Sequence, residues 1–121
     1  MQKKKMYYVS HPFMGDEKQN RWEARLMTAA LKQAYPENVF INPLDAIRYV
    51  ENVPNWSYEE ILSQCIDIMY KCDGIILTGM WEKSRGCMAE KKAAEQEKME
   101  IYVLNLCDFF GMPMLIEIGD R

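Results

Sequence analysis

The chain of 121 residues lacks the features that mark several protein classes. It has no apolar run long enough to cross a membrane, and no apolar core or cleavage pattern of a signal peptide. Its net charge is -3, whereas a protein that binds duplex nucleic acid needs a basic face. We therefore expect a cytoplasmic protein that binds neither membranes nor nucleic-acid polymers. A small anionic ligand, held by local amides and one or two cations, remains compatible with this charge.

Metal-ligating residues are also scarce. The one histidine is His11, and none of the four cysteines forms a Cys-x-x-Cys pair, so we expect no metal site and no cofactor. Cys65 and Cys72 fall on the apolar face of a predicted helix, which favours buried thiols in a reducing compartment.

The composition is that of an ordinary globular domain, with 49% apolar and 27% charged residues. This length is enough for one domain with a real core and too short for two, so we expect a single domain over residues 1–121. There are no internal repeats and no low-complexity segments.

Strand-like and helix-like segments alternate along the chain. Short runs rich in aromatic and β-branched residues predict strands over 6–10, 39–41, 75–78 and 101–104. Helical patterns predict helices over 17–34, 58–71 and 86–98. In the first helix Trp22, Leu26, Ala30 and Ala34 recur every four residues and predict an apolar stripe. Ser57 and Glu60 form a capping box that starts the second helix.

This alternation predicts an α/β fold of the flavodoxin or Rossmann type, a three-layer sandwich around a parallel sheet of four or five strands. The expected strand order is 2-1-3-4, with any fifth strand at the edge. The tail, residues 105–121, contains an apolar run over 114–118. This run is either a fifth strand or an arm that packs on a second subunit.

In such sheets a ligand binds at the carboxyl ends of the strands, where the strand order reverses. That point lies between the loops that follow strands 1 and 3, residues 11–16 and 79–86. Gly86 allows close backbone approach to a ligand, and the free amides after Ser84 form an anion site at a helix N-terminus. The Ser84 hydroxyl binds the ligand or caps the helix, and Arg85 pairs with a phosphate or remains exposed.

Glu90 lies about one turn inside the helix that follows. From this position its side chain faces either solvent or the ligand crevice. Its charged neighbours, Lys91 and Lys92, favour the solvent-facing interpretation on pattern alone.

Several motifs together resemble the DUF4406 family, whose pattern is similar to Tyr-x-Ser-Gly-Pro-Met-x-Gly, Asn-Pro and Trp-x-x-Ser-x-Gly-Ala-x-x-Glu. The resemblance covers roughly residues 6–104, and the combination is more specific than any one piece. The residues that carry it are Tyr8-Val9-Ser10-His11-Pro12-Phe13-Met14-Gly15, Asn20, Asn42-Pro43, Trp81-Glu82-Lys83-Ser84-Arg85-Gly86-Cys87 and Glu90. The family belongs to the nucleoside 2-deoxyribosyltransferase-like superfamily.

The resemblance implies a function and a site. Glu90, four residues after Gly86, matches the superfamily's nucleophilic glutamate, and Tyr8 matches a tyrosine that positions this carboxylate. Ser84 stands where deoxyribosyltransferases have an aspartate, and a serine there is similar to the nucleoside 5′-monophosphate N-glycosidases, in which it contacts the phosphate. The backbone of the two loops would hold that phosphate. The implied ligand-binding residues are Ser10, His11, Pro12, Phe13, Gly15, Trp81, Ser84, Arg85 and Gly86.

The resemblance therefore implies that a nucleotide is bound and that its N-glycosidic bond is hydrolysed or transferred. His11 donates to the phosphate, protonates the base, or is only a loop side chain. Trp81 stacks on the base or anchors its loop. Superfamily members often form dimers or larger assemblies, so a homo-oligomer is expected, with residues 109–118 as the candidate contact.

Two positions depart from the family pattern. The family's second acid would fall at Cys65, and the glycine of the first loop is replaced by His11. Asp67 points to another face of its helix, and Asp73 precedes strand 3 at the opposite end of the sheet. The cysteine favours an alternative function, in which the protein binds or sequesters a nucleotide without cleaving it, as in phage or mobile-element proteins.

Overall fold

A mixed sheet forms the middle layer of the fold in the computed structural model, which describes residues 4–47, 57–106 and 113–118. In this part of the chain the sheet has the order β2-β1-β3-β4-β5. Strands β1 to β4 are parallel, and β5 is antiparallel to β4. The strands are β1 (Met6–Ser10), β2 (Val39–Ile41), β3 (Gly74–Leu77), β4 (Glu100–Leu106) and β5 (Pro113–Glu117). The predicted α/β class and strand order are confirmed.

The helices begin where the sequence places capping side chains. The Asp16 carboxylate accepts a hydrogen bond from Gln19 N at 3.1 Å, and the Ser57 hydroxyl accepts one from Glu60 N at 3.1 Å. The helices are α1 (Glu17–Ala34), α2 (Pro43–Ile47), α3 (Tyr58–Tyr70) and α4 (Arg85–Gln96), with a 3₁₀ turn over Trp81–Lys83. The three long helices match their predicted ranges to within a few residues. None of the described helices combines the length and apolarity needed to cross a membrane.

The sheet is covered on both faces, which explains why its central strand is entirely apolar. Ile75 and Leu77 of β3 pack on one face with Cys65 and Met69 of α3 and with Ala94 of α4. On the other face the core is formed by Tyr7, Val9, Leu31, Phe40, Ile76 and Leu104. Alternate residues of β1, β3 and β4 therefore enter different cores, as a three-layer sandwich requires.

The predicted apolar stripe of α1 is wrong. Trp22 is 56% exposed and Leu26 is 49% exposed, whereas Ala24, Thr28 and Leu31 face inward. Small residues let the helix approach its neighbours closely, and the Thr28 hydroxyl is satisfied by donating to Ala24 O at 2.7 Å. The buried face thus follows a spacing of four and then three residues, which matches the 3.6-residue helical repeat better than steps of four alone.

The tail contributes a strand. β5 pairs with β4 at the edge of the sheet, with Ile116 opposite Val103. The first of the two interpretations of residues 114–118 is therefore observed. Residues 107–112 and 119–121 lie outside the described part, and an oligomer contact through the tail stays a prediction.

Candidate functional site

Two neighbouring cavities lie at the carboxyl edge of the parallel strands, where the strand order reverses. The inner cavity is lined by Glu90, Tyr8 and Cys65 together with apolar side chains such as Leu44 and Leu62, and has a volume of about 40 Å³. The outer cavity is larger, about 640 Å³, and its lining includes Pro12, Asp16, Glu59, Lys83 and Arg85. Tyr58 and Ser84 line both cavities and so stand between them.

Glu90 faces the inner cavity and is only 6% exposed. Its Oε2 accepts a hydrogen bond from the Tyr8 hydroxyl, and its Oε1 accepts one from the Ser10 hydroxyl at 2.7 Å. On α4 it shares the buried face with Cys87, Ala93 and Ala94. The solvent-facing interpretation of Glu90, which the charged neighbours had favoured, is therefore wrong.

The environment of Glu90 changes its acidity. Burial raises the pKa of this carboxyl to about 7, although the hydrogen bonds from Tyr8 and Ser10 act in the opposite direction. At neutral pH the carboxylate and the acid are then present in similar amounts. A group poised in this way can act as a nucleophile or can exchange a proton near physiological pH.

Tyr8 and Cys65 line the inner cavity together with Glu90. The Tyr8 side chain is 1% exposed, and burial raises the pKa of its phenol well above the usual value. The Cys65 thiol lines the same cavity, and burial raises its pKa to about 11. The position at which the family pattern expects a second acid therefore lies in the same cavity as Glu90, but carries a protonated thiol.

His11 is held by protein groups at both ring nitrogens. The Thr78 hydroxyl donates to Ser10 O at 2.8 Å, so His11 Nδ1, 2.8 Å from that hydroxyl oxygen, must be its donor. His11 Nε2 lies 3.2 Å from Glu23 Oε2. Burial lowers the pKa of this imidazole, while the hydrogen bond and charge of Glu23 oppose the shift. Of the roles considered for His11, this geometry favours that of a loop side chain over a phosphate donor.

Gly79 makes room for this histidine. It has a φ of 63°, and a Cβ atom there would lie 2.7 Å from His11 Cε1. A larger residue would be strained by its backbone and would also press on the ring. The turn after β3, at Gly79, thus packs against the imidazole of His11, which replaces the family's glycine in the first loop.

Ser84 and Gly86 shape the boundary between the cavities. The Ser84 hydroxyl accepts a hydrogen bond from Cys87 N at 3.2 Å, so it caps α4 while it lines both cavities. At Gly86 an added Cβ would lie 2.8 Å from the Tyr58 hydroxyl oxygen. Gly86 therefore allows the close approach of Tyr58.

Arg85 extends over the outer cavity. It donates a hydrogen bond to Glu59 at 2.6 Å, and its guanidinium carbon lies 5.3 Å from the centre of the Tyr58 ring. The Arg85 and Glu59 side chains are 72% and 64% exposed. A pair so open to water contributes little to stability, so an anionic ligand can compete with Glu59 for the guanidinium.

The other predicted residues have different positions. Phe13 lines the inner cavity, and the Arg21 guanidinium carbon lies 5.1 Å from its ring centre. Gly15 turns the first loop towards α1 with a φ of 101°. Trp81 packs against the hydrophobic core, as an anchor of its loop would.

The family model described as "Domain of unknown function (DUF4406)" matches residues 5–103 of the chain. The chain belongs to the DUF4406 family. No significant match is found among curated proteins or among solved structures. The region shared with DUF4406 includes both cavities' polar side chains, from Tyr8 in β1 to Glu90 in α4.

Tyr58, which lines both cavities, is among the site residues that the sequence did not predict; Lys83 and Glu59 of the outer cavity are others. Tyr58 follows the Ser57 cap at the start of α3, and helix N-termini lie at the carboxyl edge of a parallel sheet. The position of Tyr58 directly after a predicted helix cap could therefore have identified it as a residue near the ligand site. Among the described residues no group of three or more His, Cys, Asp or Glu side chains is arranged to hold a metal ion.

The Tyr8 hydrogen bond offers a test of how the carboxylate is tuned. In Tyr8→Phe the loss of one donor should raise the pKa of Glu90 by about one further pH unit, because a hydrogen bond to a charged group contributes about 1.5–3 kcal/mol. The measurement is an NMR titration of the glutamate side-chain carboxyls. Tyr7→Phe is the matched control, since that hydroxyl donates to Glu100 at the opposite end of the sheet. Equal titration curves for the two variants would contradict the prediction.

Proposed function

We propose that the protein binds a nucleoside 5′-monophosphate or a related nucleotide and hydrolyses or transfers its N-glycosidic bond, with Glu90 as the nucleophile. The proposal includes membership of the nucleoside 2-deoxyribosyltransferase-like superfamily. It depends mainly on one observation, the buried Glu90 carboxylate that two hydroxyls orient at the inner cavity. Each carboxylate oxygen accepts one of these bonds and keeps a second lone pair for the substrate.

In the proposed reaction a Glu90 oxygen forms a bond to C1′ of the sugar while the bond from C1′ to the base breaks. The electron pair of that bond leaves with the base. Water then attacks C1′, the bond to Glu90 breaks, the carboxylate is restored, and the proton that water releases is taken up by the departed base. The transition states resemble an oxocarbenium ion, as in retaining glycosidases. Transfer differs only in that a second base replaces water.

The outer cavity supports a ligand that carries a phosphate. Lys83 and Arg85 supply positive charge there, although Asp16 and Glu59 also line it. The amide groups at the start of α4 add a further site of positive potential beside Ser84. The inner cavity has room for about three water molecules, so only the reacting end of a nucleotide enters it, and the rest extends into the outer cavity.

One observation favours a second candidate, a protein that binds a nucleotide without cleaving it. Cys65 occupies the position of the second acid, and its buried thiol is a weak proton donor. Such a protein would keep the same pocket and the same anion contacts while releasing its ligand unchanged.

The test incubates the protein with ribo- and deoxyribonucleoside monophosphates and with the matching nucleosides, followed by chromatography. We expect base release from monophosphates and weaker release from nucleosides. Arg85→Gln should reduce the preference for monophosphates about tenfold, because a charge-assisted contact contributes about 1.5–3 kcal/mol. Arg25→Gln is the control, since Arg25 of α1 pairs with Asp45 of α2 and lines neither cavity as described.

The outcomes separate the two candidates. A monophosphate that raises the melting temperature and is recovered intact supports the binding protein. If no nucleotide is cleaved and none stabilises the protein, both candidates are wrong.

A further inference from the structure

Among the described residues that line the inner cavity, no cation balances the Glu90 carboxylate. Both hydrogen bonds to the Glu90 carboxylate come from neutral hydroxyls, those of Tyr8 and Ser10. Among the described residues, the ionisable nitrogens that line this cavity belong to His11, whose Nδ1 donates to Thr78 and whose Nε2, when protonated, pairs with Glu23. A buried carboxylate with neutral partners is costly to ionise, and a positively charged ligand placed beside it would offset that cost.

The described residues in the walls of the inner cavity do not supply this positive charge. Leu44, Ile61 and Leu62 are apolar, and the thiols of Cys65 and Cys87 have pKa values that burial raises to about 11. These thiols are neutral and protonated at pH 7. Attraction between Glu90 and a ligand cation is therefore weakly screened, since few polar groups and little water stand between them.

We propose that the inner cavity accepts N-glycosides whose glycosidic nitrogen carries a positive charge, such as a nucleotide of an N-glycosylated pyridinium. This inference rests on the proposed function and specifies its substrate class. The charged nitrogen lies at the junction of base and sugar, which is the part of the ligand that must reach Glu90. The small inner cavity needs to hold only this junction.

The bond changes balance without a proton. A Glu90 oxygen forms a bond to C1′, and the electron pair of the C1′–N bond moves onto the ring nitrogen, which becomes neutral. One negative and one positive charge are consumed together. A cavity with apolar walls favours such charge neutralisation, because the ground state holds the charges and the products do not.

A neutral base behaves differently in the same cavity. Its nitrogen would leave with a negative charge unless a neighbouring acid donated a proton. Cys65, at the position of the family's second acid, is too weak a donor at neutral pH, as is the Tyr58 phenol, whose pKa burial also raises. General-acid assistance contributes about 10²–10⁴-fold, so neutral-base substrates should be cleaved more slowly by at least about 100-fold.

The experiment compares nicotinamide mononucleotide with dihydronicotinamide mononucleotide, whose ring has nearly the same shape but no charge, and with adenosine 5′-monophosphate. At pH 8 we expect the cationic nucleotide to lose its base at least about 100-fold faster than the other two. Comparable rates for all three would overturn the inference and leave the proposed function standing. No base release from any of them would count against the proposed function.

A binding measurement further distinguishes failure of the inferred ligand class from failure of the proposed reaction. Wild type should bind the cationic nucleotide at least about tenfold more tightly than the dihydro form at pH 8, and Glu90→Gln should remove that preference. Equal affinities in wild type would overturn the inference even if no cleavage occurs. Preference for the cation without cleavage would support the inferred ligand class while the proposed reaction fails.

Cys65→Asp tests the role of residue 65. Once circular dichroism shows that the variant is folded, we expect it to release adenine from adenosine 5′-monophosphate at least about tenfold faster than wild type, because the carboxyl supplies the missing acid. A folded variant that cleaves the cationic nucleotide but gains nothing on the neutral one would contradict this role. Cys72→Ser, at a half-buried thiol outside the lining of the inner cavity, is the control.

Discussion

Glu90→Gln should lower kcat/KM for base release by about 10³-fold or more with any nucleotide that the wild type cleaves. Glutamine has nearly the same shape but carries no negative charge, so it cannot form the bond to C1′. Because the wild-type nucleophile must be ionised and the pKa of Glu90 is about 7, wild-type kcat/KM should rise about tenfold per pH unit below pH 7 and level off above it.

Glu97→Gln is the matched control for this variant. Glu97 is exposed at the end of the same helix, and its replacement should leave the rate within about twofold of wild type. A Glu90→Gln protein that retains more than a tenth of the wild-type activity would exclude Glu90 as the nucleophile. The proposed function would then need a different reacting group.

The same substitution should make the protein more stable at pH 8. The pKa of Glu90 is about 7 in the folded state and about 4.5 in the unfolded state, so the folded protein binds more protons between these values. The contribution of this group to stability is fully present below pH 4.5 and is lost as the pH rises to 7. Over this window the wild type loses up to about 3 kcal/mol, at about 1.36 kcal/mol per pH unit.

Glutamine does not titrate, so Glu90→Gln avoids this loss. Relative to the difference at pH 4, the variant should gain about 3 kcal/mol on the wild type at pH 8, which corresponds to about 10–15 °C in melting temperature. Denaturant unfolding at both pH values measures the difference, with Glu97→Gln again as the control. A difference between variant and wild type that does not change with pH would show that Glu90 is not held in a costly ionised form.

Lower activity together with higher stability is what a buried reactive carboxylate predicts. Replacement of an ordinary hydrophobic core residue by a polar group would instead lower the stability of the fold. The two measurements on Glu90→Gln therefore distinguish a functional site from an ordinary buried side chain. The stability measurement needs no knowledge of the substrate's base.

Much of the fold was predictable because its signals are local. Asp73-Gly74 and the apolar run over 75–77 predict a buried parallel strand, and Ser57 with Glu60 marks a helix start. Alternation of such segments fixes the class and makes the order 2-1-3-4 the expected one, since crossovers are right-handed. The position of the site, at the loops after β1 and β3, follows from that order.

The details of the site depended on contacts between distant parts of the chain. Ser10 was expected near a phosphate, but its hydroxyl donates to Glu90, which is 80 residues away. His11 similarly contacts Thr78, 67 residues away. No local sequence pattern predicts these hydrogen-bond partners, because each bond forms only when the strands and α4 pack together in the folded chain.

By itself the sequence determined the element order, the helix starts, the family pattern and the edge of the sheet where a ligand would bind. Only the tertiary structure decided which face of α4 lies against the sheet. The Glu90 carboxylate lies on that face and is buried, although its neighbours in the sequence are lysines. It also decided that Trp22 is exposed on α1. The physical reason is the same in both cases: helical periodicity defines a set of possible faces, whereas burial depends on the packing partners that long-range folding supplies.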